Sequence, residues 1–569
     1  MQPMTTTQRF TAALLAATAL ALAACSQADT ILTGRDQSTE ERKDAAPPPP
    51  SKPAPEGRAI VEFGLSSPAG TVAQPEPYPA EPIVNTEQYP DAKANPVKVV
   101  ADEPVSTFSI DVDTASYGVA RSYINRGVLP PTDAVRVEEM VNYFDYDYTL
   151  PETKAQPFQP TVAVYETPWN KGTQIVHIGI KGYDIERAER PPTNLVFLLD
   201  VSGSMSDENK LPLVKRAMRL LVEQLTGDDR VSIVVYAGNA GTVLEPTSGA
   251  SKREILSAIE RLESGGSTAG GEGIRQAYAL AESSFIKNGV NRVILATDGD
   301  FNVGITDPDA LEDFVARKRD TGVYLTVLGF GAGNYNDVIM QNLAQAGNGN
   351  AAYIDTLSEA RKVLVEEMSS TLFPIANDVK IQIEFNPARV AEYRLIGYET
   401  RMLERTDFSN DKVDAGDIGA GHTVTALYEI VPVGSDARLS DPLRYGGEPK
   451  PTEGAAARDQ EIAHLRIRYK LPGETASKLI ERPIANADVT VEFASLPDDL
   501  RFAAAVAGYG QILKASPYIK DFDLKDVIDI ANGAKGEDPF GYRAEFVSLA
   551  RLAETAQGLP TPEGSYDGN

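Results

Sequence analysis

Asp200, Ser202 and Ser204 stand two residues apart in the stretch Asp200-Val201-Ser202-Gly203-Ser204. One carboxylate and two hydroxyls at that spacing converge on a point if the chain turns around it. All three are hard oxygen donors, the kind Mg²⁺ takes in octahedral geometry at about 2.0–2.1 Å while keeping some water. Two further oxygen donors stand far along the chain. Thr268 lies in the glycine-rich turn Gly265-Gly266-Ser267-Thr268-Ala269-Gly270-Gly271, which opens a helix, and Asp298 lies in Thr297-Asp298-Gly299, which ends an apolar run. The chemistry on offer is cation binding, by Mg²⁺ first and by Mn²⁺ or Ca²⁺ as substitutes. Hydroxyls committed to a cation make poor free nucleophiles. The sequence carries no GxSxG elbow, no HExxH and no GxxxxGK[ST] phosphate loop. Nothing specifically supplies the general base that metal-assisted hydrolysis needs. The expected role is therefore binding, not catalysis.

Donors this far apart in sequence meet only if the elements between them bring them together. Leu195 to Leu199, Val231 to Val235, Val293 to Leu295 and Val323 to Leu328 are almost wholly apolar runs. Runs apolar on both faces are parallel strands covered by helices. Between the first two, Leu211, Val214, Met218, Leu221 and Leu225 recur at helical spacing. This predicts an α/β domain over 191–375 with a doubly wound, Rossmann-like parallel sheet, whose ligands bind at the carboxyl ends of the strands. Asp200 and Asp298 occupy such ends.

The flanks differ. Helices are expected over 117–126 and 133–143, then strands, within a region spanning 101–190. Over 376–496 the pattern switches to period two: Val379, Ile381, Ile383 and Phe385, then Val424, Ala426, Tyr428 and Ile430, then Ala463, Leu465, Ile467 and Tyr469. Strands with one wet face imply a β-rich, sandwich-like unit. Strands from 160–182 are expected to complete it, making the α/β domain an insertion. Residues 497–557 read as helical, with Phe502, Ala505, Val506, Tyr509, Ile512 and Leu513 along one face, and 558–569 as a loose tail.

The chain has 569 residues and a net charge of −27. Nucleic-acid binding, which leaves a basic footprint, is not expected. The one cysteine, Cys25, excludes disulfides and cysteine metal sites. It closes a short apolar stretch, Ala12 to Ala24, too brief to span a bilayer. The ending Leu22-Ala23-Ala24-Cys25 resembles a bacterial lipobox. That resemblance implies a signal peptide over 1–24, lipidation of Cys25 and, with Ser26 after it, anchorage to the outer membrane of a Gram-negative cell envelope. Residues 25–100, rich in proline, read as a disordered tether; extended at about 3.1 Å per residue, it would reach roughly 200 Å.

Asp200, Ser202, Ser204, Thr268 and Asp298 together resemble the metal-ion-dependent adhesion site (MIDAS) of von Willebrand factor A (VWA) domains. Asp200, Ser202 and Ser204 match the DxSxS loop, Thr268 the threonine of the turn before its helix, and Asp298 the strand-ending Thr-Asp-Gly. The resemblance implies a Mg²⁺ ion held by these side chains and completed by an Asp or Glu of a protein partner. The segments Ser106 to Tyr117, Asn142 to Tyr148 and Asp411 to Tyr428 resemble YfbK-type VWA lipoproteins, so the likeness covers roughly 100–555. The function it implies is a lipid-anchored envelope protein that grips its partner through the metal. The alternative is an assembly factor that binds mainly through its β-rich and helical C-terminal regions.

Lesser candidates have plainer readings. Asp111 and Asp113 begin like a calcium loop, but Ala115 and Ser116 stand where it needs Asp or Asn and Gly; helix capping or buried hydrogen bonding suits them better. Asp411, Asp414 and Asp417 fit turn chemistry. His177 and His464 sit in alternating strands as sheet-face residues, and His422 follows Gly421 in a turn.

Overall fold

In a computed structural model of the chain, the described residues are 86–91, 93–186, 189–237, 240–266, 270–299, 307–441, 460–490 and 492–558. Cys25, Thr268 and the tail after 558 lie outside them. Among the described residues no helix is long and apolar enough to cross a membrane.

The α/β domain is built on a six-stranded sheet. Thr193–Asp200 lies at its centre, flanked in parallel by Arg230–Tyr236 and Val290–Thr297; Val323–Phe330 and Ala351–Ile354 continue the parallel order on the latter side. The central strand is buried throughout because its alternate residues enter two cores. Leu195, Phe197 and Leu199 pack with Leu211, Val214, Met218 and Leu221 of the helix Leu211–Gln224. Val196 and Leu198 pack with Ile274, Ala277 and Ala281 of Gly270–Ser283 on the other face. The sheet is not wholly parallel, a correction to the sequence reading. Ala240–Ser248 adds an antiparallel edge strand against Arg230–Tyr236. Its exposed Glu245 and Pro246 suit an edge, where proline costs no ladder hydrogen bond.

The β-rich unit is a sandwich drawn from both sides of this domain. Gln174–Lys181 pairs antiparallel with Thr423–Pro432, and Pro160–Glu166 pairs with Gln174–Lys181. The second sheet is centred on Pro374–Phe385, between Val105–Ser109 and Glu461–Lys470. Val176, Ile178, Val424 and Tyr428 of one sheet share a core with Val379, Ile381, Ile383 and Leu465 of the other. The α/β domain is thus inserted in the sandwich. The expectation of one wet face fails for Thr423–Pro432, nearly all of which is buried. Leu427 on its outer face joins the core of the helices Asp498–Leu513, Leu524–Gly533 and Tyr542–Gln557.

Two further boundaries are corrected. The tether does not run to residue 100: Gln88 donates its N–H to the Tyr335 carbonyl and accepts that of Asp337, while Lys98–Val99 pairs with Val390–Ile396. The helix expected over 133–143 breaks into the 3₁₀ turn Thr132–Ala134 and the helix Val137–Asn142. Arg136 is extended there, and its N–H donates to Ser116 Oγ at 2.8 Å instead of to a helical carbonyl.

Glu138, on that short helix, is 2% exposed. Burial first, then the charges of Glu399, Asp111 and Glu139, push its carboxyl from 4.5 up to about 8. Between those values the folded chain keeps a proton that the unfolded chain loses, so stability falls as pH rises across that window. Glu138→Gln is expected to remove this slope and to stabilise the protein at pH 8 by on the order of 1–3 kcal/mol. Denaturant unfolding at pH 5 and pH 8 measures it; an equal loss between the two pH values in variant and parent would contradict it.

Candidate metal centre

Thr193–Asp200 ends in Asp200, which is fully buried. Its Oδ1 accepts the Ser202 N–H at 2.8 Å, which turns the chain, and its Oδ2 accepts from Thr297 Oγ1 at 3.4 Å on the neighbouring strand. Met205, fully buried in the core below, pins the loop. Between these anchors the Ser202 and Ser204 hydroxyls lie 3.0 Å apart. Ser202 is buried, whereas Ser204 is exposed, so the group opens to solvent on one side.

Asp298 leaves the adjacent strand Val290–Thr297 and is also fully buried. Gly299, with φ +103°, takes the backbone past the loop at Asn334 and Tyr335, where a Cβ would meet the Asn334 carbonyl at 2.6 Å. Burial alone would raise the Asp298 carboxyl; hydrogen bonds with Asn334, Lys210 and Ser204 outweigh it and hold the carboxyl below its usual range. Asp200 goes the other way, pushed by burial up to about 6 despite its hydrogen bonds to Ser202. The charge of Asp298 adds to the rise at Asp200.

Of the five expected residues the fold brings four together: Asp200, Ser202, Ser204 and Asp298. Thr268 lies outside the described residues; Gly265 and Gly266, which precede it in sequence, bond the loop that carries Ser202 and Ser204. The Gly265 N–H donates to the Val201 carbonyl at 2.7 Å and the Gly203 N–H to the Gly266 carbonyl at 3.1 Å. The donor set suits a small hard cation. Neighbouring oxygens of an octahedron with bonds of about 2.1 Å lie about 3.0 Å apart, the separation of the Ser202 and Ser204 hydroxyls.

Lys210 was not foreseen from sequence. It precedes Leu211, the first residue of the helix Leu211–Gln224, yet its Nζ donates to Asp298 Oδ2 at 2.9 Å and to Asn334 Oδ1 at 3.3 Å. The available signal was its position, since a helix N-terminus favours anions and a lysine there needs another reason.

The lesser acidic candidates already have side-chain partners within the protein. Asp111, Asp113 and Glu139 are near enough together to suit a metal. Arg401 bonds both aspartates, and Arg136 bonds Glu139. Asp411 pairs with Arg468 and Asp414 with Arg319, while Asp417 accepts from Asn377. His177 is a neutral core residue between the Tyr148 and Tyr165 hydroxyls, with burial driving it down to about 3. His422 is buried as well, and burial lowers it to about 4.

Family models match the chain along most of residues 83–556. The family model "von Willebrand factor type A domain" matches residues 194–367, "Uncharacterized protein YfbK, C-terminal" matches 370–556, and "von Willebrand factor" matches 83–177. The chain is 47% identical over 475 residues to YfbK of Escherichia coli strain K12, covering 82% of this chain and 81% of that protein. It is 33% identical over 185 residues to protein sll0103 of Synechocystis, covering 32% of this chain and 42% of the relative. Among solved structures, a von Willebrand factor type A protein from Catenulispora acidiphila aligns over 72% of this chain and 91% of its own, at 15% identity and a TM-score of 0.37.

Proposed function

We propose, from the premise that this chain belongs to the YfbK family of VWA-domain proteins, that it is a cell-envelope lipoprotein gripping a protein partner through a metal ion. VWA domains serve mostly as interaction modules, and many hold a divalent cation. In this reading Asp200, Ser202, Ser204 and Asp298, with Thr268, hold Mg²⁺; Mn²⁺ would substitute, and Ca²⁺ less well. The ion supplies a Lewis-acidic position for a carboxylate, and an Asp or Glu of the partner takes it. A bound cation inverts the local field, which lets a chain of net charge −27 accept an acidic side chain. Cys25 carries the lipid anchor at the outer membrane.

The observation that carries this reading is the single hydrogen-bonded group formed by Asp200, Ser202, Ser204 and Asp298, buried below and open above at Ser204. The two serine hydroxyls are engaged with each other and with carboxylates, which favours ligation over nucleophilic chemistry.

Capture from native envelope extract tests it. The full chain is expected to hold a partner in millimolar Mg²⁺, release it into EDTA, and lose it on Asp200→Ala. Equal recovery with and without EDTA would contradict the proposal. If capture then failed on removal of 378–555, the assembly-factor alternative would take its place.

A further inference from the structure

Lys210 brings a positive charge into the group proposed to hold a cation. Its side chain is 7% exposed and ion-paired with the fully buried Asp298. Its position is built into the fold. The aliphatic stem crosses Gly331, which has φ +80°, and a Cβ there would lie 2.4 Å from Lys210 Cε and 2.6 Å from Cγ. The loop beyond Gly331 is held in turn by the segment before the body. The Thr86 N–H donates to the Gly333 carbonyl at 2.9 Å, and the Gly333 N–H donates to Glu87 Oε1 at 2.7 Å. On that loop Asn334 gives the ammonium its second acceptor.

The charges have a consequence for selectivity. Asp200 and Asp298 together carry two negative charges, and Lys210 returns one. A divalent ion among them leaves the loaded group net positive by one; without the lysine it would be neutral. The lysine therefore opposes entry of the cation and favours arrival of an anion after it. We propose that Lys210 is a specificity-determining residue that makes cation binding and carboxylate capture depend on each other. By linkage, a carboxylate that prefers the loaded site tightens the cation by the same factor. The group then retains its ion weakly on its own and firmly with an acidic ligand. This inference rests on the metal reading of the site given above.

The test uses the full chain and Mn²⁺, with free Mn²⁺ followed by electron paramagnetic resonance, in acetate and in chloride of equal ionic strength. Lys210→Met keeps the stem and removes the charge; Lys210→Arg keeps the charge. Lys210→Met is expected to bind Mn²⁺ at least about tenfold more tightly than the parent in chloride. Acetate is expected to tighten Mn²⁺ binding in the parent and in Lys210→Arg, with most of that effect lost in Lys210→Met. Should Lys210→Met fail to fold, Lys210→Gln carries the same comparison. Mn²⁺ binding in the neutral variant that is no tighter than in the parent, or an acetate effect equal in both, would overturn this inference and leave the metal site standing. A parent that binds no Mn²⁺ in either salt would overturn the metal site itself, and this inference with it.

Discussion

Asp200→Asn is expected to weaken divalent-cation binding on the order of a hundredfold or more while leaving the metal-free fold more stable than the parent. The amide keeps an oxygen for the Ser202 N–H, which Asp200 Oδ1 accepts at 2.8 Å, so the turn survives. What goes is the charge, and loss of supporting groups around a metal commonly costs 10–100-fold even when no ligand is removed. The stability gain follows from burial. It pushes the Asp200 carboxyl from 3.8 up to about 6, so the folded chain holds its proton where the unfolded chain has lost it. Stability of the metal-free protein therefore falls as pH rises from about 4 to about 6 and stays lowered at pH 7. Removing the carboxylate returns on the order of 1–3 kcal/mol. Mg²⁺ at a thousand times its Kd reverses the ranking, because it stabilises the parent by about 4.1 kcal/mol and the variant much less. Denaturant unfolding with and without Mg²⁺ reads both effects. A variant that Mg²⁺ stabilises as much as the parent would show that Asp200 does not hold the ion.

Arg136→Met is expected to lower stability by about 3–5 kcal/mol, the cost of removing one partner from a buried ion pair. Arg136 is 1% exposed and bonds both Glu139 and Asp337, themselves almost fully buried. Glu139 also accepts the Ser116 N–H at 2.8 Å and Gln341 Nε2 at 2.7 Å, so the helices 115–125 and 137–142 meet the α/β domain at this cluster. Without the guanidinium, two carboxylates remain buried, and Glu139 also feels the charges of Asp111 and Asp337. Replacing Asp337 by Asn in the same chain is expected to restore part of the loss, because it removes one stranded charge. Thermal unfolding of the single and double variants measures this. A single variant within about 1 kcal/mol of the parent would mean that water reaches the cluster.

The legible parts of this molecule share a physical cause. Leu195 to Leu199 read as a buried parallel strand because helices cover both faces, and the same coverage forces ligand groups to its carboxyl end. The DxSxS spacing was readable because a tight turn lets near neighbours converge. Other features follow from contacts that leave no local trace. The strand Thr423–Pro432 alternates like a half-wet strand, yet the distant helices 498–557 bury its outer face. Ala240–Ser248 escaped notice because an edge strand with Glu245 and Pro246 has little apolar pattern. Residues 86–91 dock on 333–337 through backbone bonds of Thr86 and Gln88 and through the Glu87 carboxylate, partners that composition does not reveal. Lys210 joins Asp298 across 88 positions of sequence, visible beforehand only as a lysine where a helix start prefers an acid.

The convergence of oxygen donors on one cation is tested most directly by anomalous diffraction from crystals of the full chain soaked in Mn²⁺. The account predicts one strong peak at the carboxyl end of the strand Thr193–Asp200, bonded to Ser202 Oγ and Ser204 Oγ at about 2.1–2.2 Å, with Asp200 and Asp298 directly or through water around it. A folded chain with these side chains in place and no anomalous density among them would contradict it.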